Sequence, residues 1–279
     1  DGALLAEDLA AIDAYFERIG FAGSIAPTLD TLAQLHALHA AAIPFENLDP
    51  LMGAPVRLEL RNLEQKLLFE KRGGYCFEQN LLLKAMLEDL GYEVAALAAR
   101  VLWNHPEDAD RPLSHMVLKV DIAGSAYLAD VGFGSATLSA PLKLRSDQEQ
   151  ETPHEVFRLI GGEPDWRLQI RIGEEWRSVY SFDMAEQRFD DLVALNDRIQ
   201  ADPNFRDNVL AARAEKSRRI TLRNRDLRIH PAEGGETERR RLEGLAEVKE
   251  ALSGLFGIAL PAADRLDPAI ERALEQPAG

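Results

Sequence analysis

At Gly91 the hydrophobic pattern of this 279-residue chain changes period, and that change limits the folds open to it. Up to Gly91, apolar residues recur at spacings of three and four. Leu5, Leu9, Ile12, Phe16 and Ile19 make the stripe of an amphipathic helix that Gly20 stops. Thr28 predicts the N-cap of a second helix through Leu29, Leu32 and Leu35, ending before Pro44. Asn62 predicts the cap of a short third helix through Phe69, and a stronger helical run starts at Cys76 and reaches Leu90. Beyond Gly91 the segments 92–103, 115–122, 125–131, 155–160, 166–172 and 176–182 are short and rich in Val, Ile, Leu and aromatic residues. Ala123-Gly124, Gly161-Gly162 and Gly173-Glu174 predict hairpin turns between them. In 166–172 the apolar Trp166, Leu168, Ile170 and Ile172 alternate with Arg167, Gln169 and Arg171, which is the signature of a half-buried antiparallel strand.

The expected architecture is therefore α+β. A helical bundle over 1–91 precedes an antiparallel sheet over 92–190 that closes on itself as a barrel or sandwich. A linker over 185–204, with mixed charge and Pro203, leads into a C-terminal α/β layer that completes 191–279. That layer has predicted strands at 219–223 and 226–229, and a turn at Gly234-Gly235. It also has a helix carrying Leu242, Leu245, Val248, Leu252 and Leu255, and a last helix from near Asp264. The 279 residues of the whole chain suit two or three domains.

Charge narrows the partners. Lys and Arg total 32 against 47 Asp and Glu, a formal net charge of -15 that repels phosphate backbones and anionic lipid. The expectation is no nucleic acid and no membrane partner. The first residues lack the basic start of a secretory signal, and a single cysteine cannot form an intrachain disulfide. Both favour the cytoplasm and make Cys76 the residue to explain.

Cys76 stands where Gly73-Gly74 meets a helix start, where unpaired N–H groups and the helix dipole favour a thiolate. The glycine pair offers close approach to a substrate and positive φ without penalty. A cysteine nucleophile needs an imidazole, and the imidazole needs an orienting carboxylate. His115 opens the strand 115–122 on the face opposite Met116, Leu118, Val120 and Ile122, and the next strand returns to Asp130. A turn centred between Ile122 and Ala123 sets His115 and Asp130 directly opposed, about 5 Å apart at Cβ. A turn centred on Ala123-Gly124 makes them diagonal neighbours at roughly 7–8 Å. A register slipped by one residue would separate them. For each residue alone a structural role is the commoner one: a buried thiol, a strand-edge histidine, a turn-forming aspartate. The three in this order point to chemistry.

Asp130-Val131-Gly132-Phe133-Gly134 adds a second close-approach loop, whose N–H groups are expected to be free for phosphate or carbonyl oxygens. It is not a dinucleotide fingerprint, since Thr137 stands where a third glycine would be, and no GxxxxGK[ST] loop is present. His36 and His39 lie three apart on a helix without companion ligands, so no metal is expected. The basic run Lys216-Ser217-Arg218-Arg219 reads as a solvated strand edge, with coenzyme phosphates as the alternative.

Arg72-Gly73-Gly74-Tyr75-Cys76-Phe77-Glu78-Gln79-Asn80 closely resembles the active-cysteine motif of the bacterial arylamine N-acetyltransferases. Ile43-Pro44-Phe45-Glu46-Asn47-Leu48, Ala99-Arg100-Val101-Leu102-Trp103, His115 and Asp130-Val131-Gly132-Phe133-Gly134 match in the same order. The resemblance implies a cysteine-proteinase-like Cys–His–Asp core. In it, Cys76 takes acetyl from acetyl-CoA, His115 is the base and Asp130 orients it. The acetyl group then passes to an arylamine or arylhydrazine in a ping-pong cycle, as in xenobiotic metabolism. The resemblance also implies Phe45 and Phe133 lining the acceptor pocket, with Gly132, Phe133 and Gly134 near the coenzyme pyrophosphate. Asp202-Pro203-Asn204-Phe205 departs from the family's longer hydroxyl-bearing segment, so no contacts are carried over there. The same triad order suits a macrolactam-forming amide synthase of the same superfamily, or a papain- or transglutaminase-like hydrolase. The hydrolases need an extended peptide groove, whereas two Gly-rich loops and two phenylalanines suggest a narrow slot. The physiological acceptor and the oligomeric state, a homodimer included, stay open at this level.

Overall fold

The structure is a computed structural model that describes residues 2–107 and 109–275, with side chains from residue 11 onward. The helical stripe predicted near the N-terminus lies in α1 (Gly2–Ile19), where Ile12, Tyr15 and Ile19 are buried. Its Leu5 and Leu9 fall outside the residues whose side chains are described. Thr28 caps α2 (Leu29–Ala42) as predicted, its hydroxyl accepting from the Thr31 N–H at 3.3 Å. Two short elements follow, β1 (Phe45–Glu46) and α3 (Leu48–Leu51). α4 (Leu60–Glu64) then runs into a π-helical turn over Gln65–Phe69. Asn62 does not cap it: the helix starts two residues earlier behind Glu59, and Asn62 instead donates to the Glu59 carboxylate at 3.0 Å. α5 (Cys76–Asp89) begins at the cysteine.

The alternating segments fold into eight strands: β2 (Glu93–Val101), β3 (Leu113–Ile122), β4 (Ser125–Ala129), β5 (Leu142–Lys143), β6 (Gln150–Glu151), β7 (Val156–Gly162), β8 (Asp165–Ile172) and β9 (Glu175–Glu186). They pair antiparallel in the order β5-β4-β3-β2-β9-β8-β7-β6. The sheet curls until its ends meet, since Ser146 bridges to Leu159 and Gln150 clasps the backbone of Lys143. This is the barrel-like closure that the succession of hairpins implies. Ala123-Gly124 and Gly173-Glu174 make turns as expected, but Gly161 and Gly162 pair with Trp166 and Asp165 inside the ladder, and the turn falls at Glu163-Pro164, where proline has no N–H to give a ladder. Its interior is packed by Leu97, Val117, Leu128, Phe157, Leu168 and Tyr180. Its outer face, through Met116, Leu118 and Val120, packs on α1, α2 and α5. The β3–β4 register pairs Leu118 with Ala129 and Val120 with Tyr127, so the turn centres on Ala123-Gly124 and His115 and Asp130 are diagonal neighbours.

The segment predicted as a linker is α6 (Phe189–Gln200), with α7 (Pro203–Arg206) after it. Charged residues cover the exposed side of α6, but Leu192, Leu195 and Ile199 recur at helical spacing and join the α1–α2–α5 core. The second sheet runs β1-β10-β11-β12-β13, with β10 (Leu210–Ala214), β11 (Arg218–Arg223), β12 (Asp226–Pro231) and β13 (Glu238–Arg241). Ile220, Leu222 and Leu227 pack it on α3, on α8 (Leu245–Glu250) with its π-helical extension Ala251–Leu255, and on α9 (Ala263–Leu274). Leu242 precedes α8 and is buried beside it. Among the described residues, no helix is long and apolar enough to cross a membrane.

Candidate active site

Every residue of the 72–80 stretch has a packing reason for its place. Gly73 cannot carry a side chain because a Cβ there would sit 2.1 Å from the Pro44 carbonyl oxygen. The sequence expectation for the glycine pair was approach to a substrate and positive φ. Instead the chain meets itself: Gly74 N–H donates to Pro44 O at 3.3 Å, and Glu46 N–H to Gly74 O at 3.1 Å. Tyr75 is the N-cap of α5, and Glu78 closes the helix start by accepting from the Tyr75 N–H at 3.0 Å. Phe77 is fully buried and anchors the first turn, worth about 2–3 kcal/mol by area. Gln79 donates to Pro44 O at 2.8 Å and to Gly74 O at 3.2 Å.

Cys76 thus sits at the first helical position of α5, 4 % exposed. His115 from β3 faces it, and Asp130, just past β4, stands behind His115. His115 Nε2 lies 2.7 Å from Asp130 Oδ2, with both side chains buried. Burial opposes a charge on His115, but the Asp130 carboxylate, helped by Cys76, outweighs it and pushes the imidazole up to about 10. Burial likewise opposes the Asp130 charge, and His115, Asn80 and the Gly132 N–H overcome it, holding the carboxyl below its ordinary value. The arrangement places an imidazole, its charged form favoured, between a carboxylate and a sulfur.

Sequence reasoning missed what braces this corner. Asn80, one turn after Cys76 on α5, donates to Asp130 Oδ1 at 2.9 Å and to Met116 O at 2.8 Å, and accepts from Val131 N–H at 3.0 Å. Tyr180 from β9 is fully buried with its ring centroid 5.1 Å from that of His115. Only the i,i+4 spacing of Cys76 and Asn80 on one helix face signals this in the sequence.

Gly132 is held against the nucleophile, since a Cβ there would lie 2.7 Å from Cys76 Cα. Its N–H is not free, contrary to expectation: it donates to Asp130 Oδ1 at 2.9 Å, and the Gly134 N–H donates to Thr137 Oγ1 at 2.6 Å. The two phenylalanines pack against different cores. Phe133 packs edge-on to His115, centroids 5.1 Å apart, whereas Phe45 lines a narrow cavity with Val131, Gly134, Thr137 and Arg213. Arg219 is another correction. It is buried rather than solvated, pairing with Glu155 at 2.8 Å and donating to Thr137 O at 2.8 Å, so it ties the glycine loop to β11. Phe205 of the divergent segment stands edge-on to Tyr75, centroids 5.5 Å apart.

The family model described as N-acetyltransferase matches residues 28–265. The arylamine N-acetyltransferase of Escherichia coli (strain K12) is 38% identical over 249 residues, 88% of each chain. The chain belongs to the arylamine N-acetyltransferase family. The Mycobacterium bovis enzyme of that name is 41% identical over 253 residues, 88% of this chain and 89% of its own. The solved Mycobacterium marinum arylamine N-acetyltransferase superposes with a TM-score of 0.90 at 38% identity, covering 94% of this chain and 99% of that one. The same protein in complex with CoA superposes at 0.89. As an N-acetyltransferase the chain is an acyl-transfer enzyme, with acetyl-CoA as the donor consistent with that complex. Cys76, His115, Asp130, Asn80 and the 132–134 loop all lie within the matched residues.

Proposed function

We propose that this protein acetylates arylamines or arylhydrazines by a ping-pong cycle through an acetyl-Cys76 intermediate. The observation that carries the reading is the buried His115, bonded to Asp130 at 2.7 Å and pushed up to about 10 beside Cys76. In the first half-reaction the Cys76 thiolate attacks the acetyl carbonyl of acetyl-CoA. The acetyl C–S bond to the coenzyme breaks, and the departing CoA sulfur takes a proton from His115. In the second, the amine nitrogen attacks acetyl-Cys76, His115 accepts the amine proton, and the thiolate is regenerated. Asp130 fixes the imidazole and stabilises its charged form.

In this reading residues 1–91 carry the nucleophile, 92–190 the base and its orienter, and 191–279 the linker and lid. Phe45 and Phe133 border the acceptor from two sides. Gly132, Phe133 and Gly134 face the coenzyme through the close approach of a backbone without Cβ atoms at its ends. The protein works in the cytoplasm on small molecules, as a monomer or homodimer.

Acetyl-CoA offered with isoniazid, hydralazine and 4-aminobenzoate, followed by the release of free CoA thiol, tests the reading. Parallel double-reciprocal lines and no turnover by Cys76→Ala are the expected results. Intersecting lines, or turnover by Cys76→Ala, would replace the acetyl-enzyme with direct transfer in a ternary complex.

A further inference from the structure

His36 is a fully buried imidazole on α2 that the proposed acetyl transfer does not use. Its Nε2 lies 3.2 Å from the backbone nitrogen of Asp130. An amide N–H can only donate there, so His36 must be neutral and carry its hydrogen on Nδ1. That Nδ1 is buried with no hydrogen-bond partner among the described residues. A buried donor left unmade is destabilising, and one retained in a well-packed core calls for a compensating role.

The compensation lies at Asp130. The β3–β4 ladder ends at Leu118 and Ala129, and β5 pairs only with Tyr127 and Leu128, so no strand takes the Asp130 N–H. The carboxylate is already pinned at Oδ2 by His115 and at Oδ1 by Asn80 and Gly132. His36 supplies the acceptor that fixes the peptide plane behind that carboxylate. Burial drives His36 down to about 4, and the pull of Asp130 the other way does not restore its charge. His39, one turn later, shows that the helix face tells its two rings apart. Its Nδ1 faces the Tyr15 hydroxyl at 2.9 Å, while its Nε2 donates to Gln79 Oε1 at 2.7 Å, the opposite tautomer.

We propose that His36 is a positioning residue for acetyl transfer, holding the Asp130 carboxylate in line with His115 through the backbone N–H of Asp130. The proposal rests on the His115–Asp130 roles given above. Without the acceptor, a buried N–H would be left unpaired, and rotation of the peptide plane to satisfy it would tilt the carboxylate away from His115.

Two substitutions separate the hydrogen bond from the packing. His36→Phe keeps a planar ring and removes the acceptor, whereas His36→Gln can place Oε1 where Nε2 stood. The readout is the rate of Cys76 acetylation by acetyl-CoA as a function of pH, beside melting temperature. His36→Phe should be slowed about 10- to 100-fold and His36→Gln should stay within about threefold of wild type, the range of supporting hydrogen bonds at reactive centres. The alkaline limb, set by His115 giving up its proton near about 10, should move to lower pH in His36→Phe only. A merely structural role would lower the melting temperature of both variants and leave that limb in place, which would overturn the proposal. Should His36→Phe not fold, ¹⁵N NMR of the wild-type histidines decides: an Nδ1–H tautomer at His36 supports the proposal and an Nε2–H tautomer overturns it. If the wild type is acetylated and Asp130→Asn is slow while His36→Phe matches wild type, His36 has no such role and the acetyl transfer reading stands. If the wild type takes up no acetyl group, the acetyl transfer reading itself falls.

Discussion

Two buried charged clusters flank the start of α5, and they are built on opposite principles. On one side one carboxylate, Asp130, meets one imidazole, His115, and its remaining lone pairs are filled by Asn80 and Gly132. On the other, three carboxylates share two cations. Arg72 pairs with Glu46 at 2.7 Å and Asp49 at 3.0 Å, while Lys66 pairs with Asp49 at 2.6 Å and Glu78 at 2.5 Å. The first cluster drives its members apart, Asp130 down and His115 up to about 10. The second leaves an acid short of partners. Burial, with Asp49 and Glu46 close by, outweighs Lys66 and pushes Glu78 up to about 7. Counting charges therefore separates the two: the matched, braced charges are the pair to which the proposed cycle gives its proton transfers, and the crowded ones fasten a helix start.

The largest effect should come from unbalancing the matched cluster. Asp130→Asn keeps the shape but loses the charge, and acetylation of Cys76 should fall about 10³- to 10⁴-fold with the melting temperature little changed. Rapid-quench acetylation beside thermal melts reads both. Arg72→Ala should do the reverse. It strands Glu46 in the interior and leaves Asp49 to Lys66 alone, so unfolding by urea should show a loss of about 3–5 kcal/mol, and the fraction that stays folded should acetylate at close to the wild-type rate.

The two clusters should also lose stability in different pH windows. A carboxyl raised in the folded state, such as Glu78, contributes stability below its unfolded value near 4.5 and loses it as pH rises through about 7. Glu78→Gln should therefore remove a fall in stability of up to about 3 kcal/mol between those values. Asp130, held low, contributes above its unfolded value and is lost as pH falls, while His115 contributes fully below 6.5 and is lost as pH rises through about 10. Stability curves of Glu78→Gln and Asp130→Asn against pH would merge if the clusters were not separate. The smallest effect belongs to Gly132→Ala. The added methyl would sit 2.7 Å from Cys76 Cα, and relieving that contact should cost about 1–3 kcal/mol, which circular dichroism melts suffice to see.

The first cluster was readable in the sequence and the second was not. Cys76, His115 and Asp130 are chemical types with few other joint uses, and a two-residue turn fixes the hairpin between the last two. The barrel-like sheet was largely legible because most of its neighbours are sequential and glycines mark the turns at Ala123-Gly124 and Gly173-Glu174; the β7–β8 turn at Glu163-Pro164 and the long-range pairing of β2 with β9 were not. The second sheet was only half legible. β1 is two residues long and pairs with Leu210–Ala214, whose alanines do not read as a strand, and Glu238–Arg241 is charged throughout. α6 was hidden by its charged exposed side. Asn80 and His36 escaped because their partners are largely backbone atoms of Met116, Asp130 and Val131, which no residue type announces.

The proposed cycle turns on the acetyl group resting on Cys76. Incubation with acetyl-CoA and no acceptor, followed by peptide mass mapping, tests this most directly. One added acetyl group on the peptide holding Cys76, lost again when an arylamine is supplied, is the predicted result. An unmodified Cys76 in protein that turns over acetyl-CoA with an arylamine would contradict it.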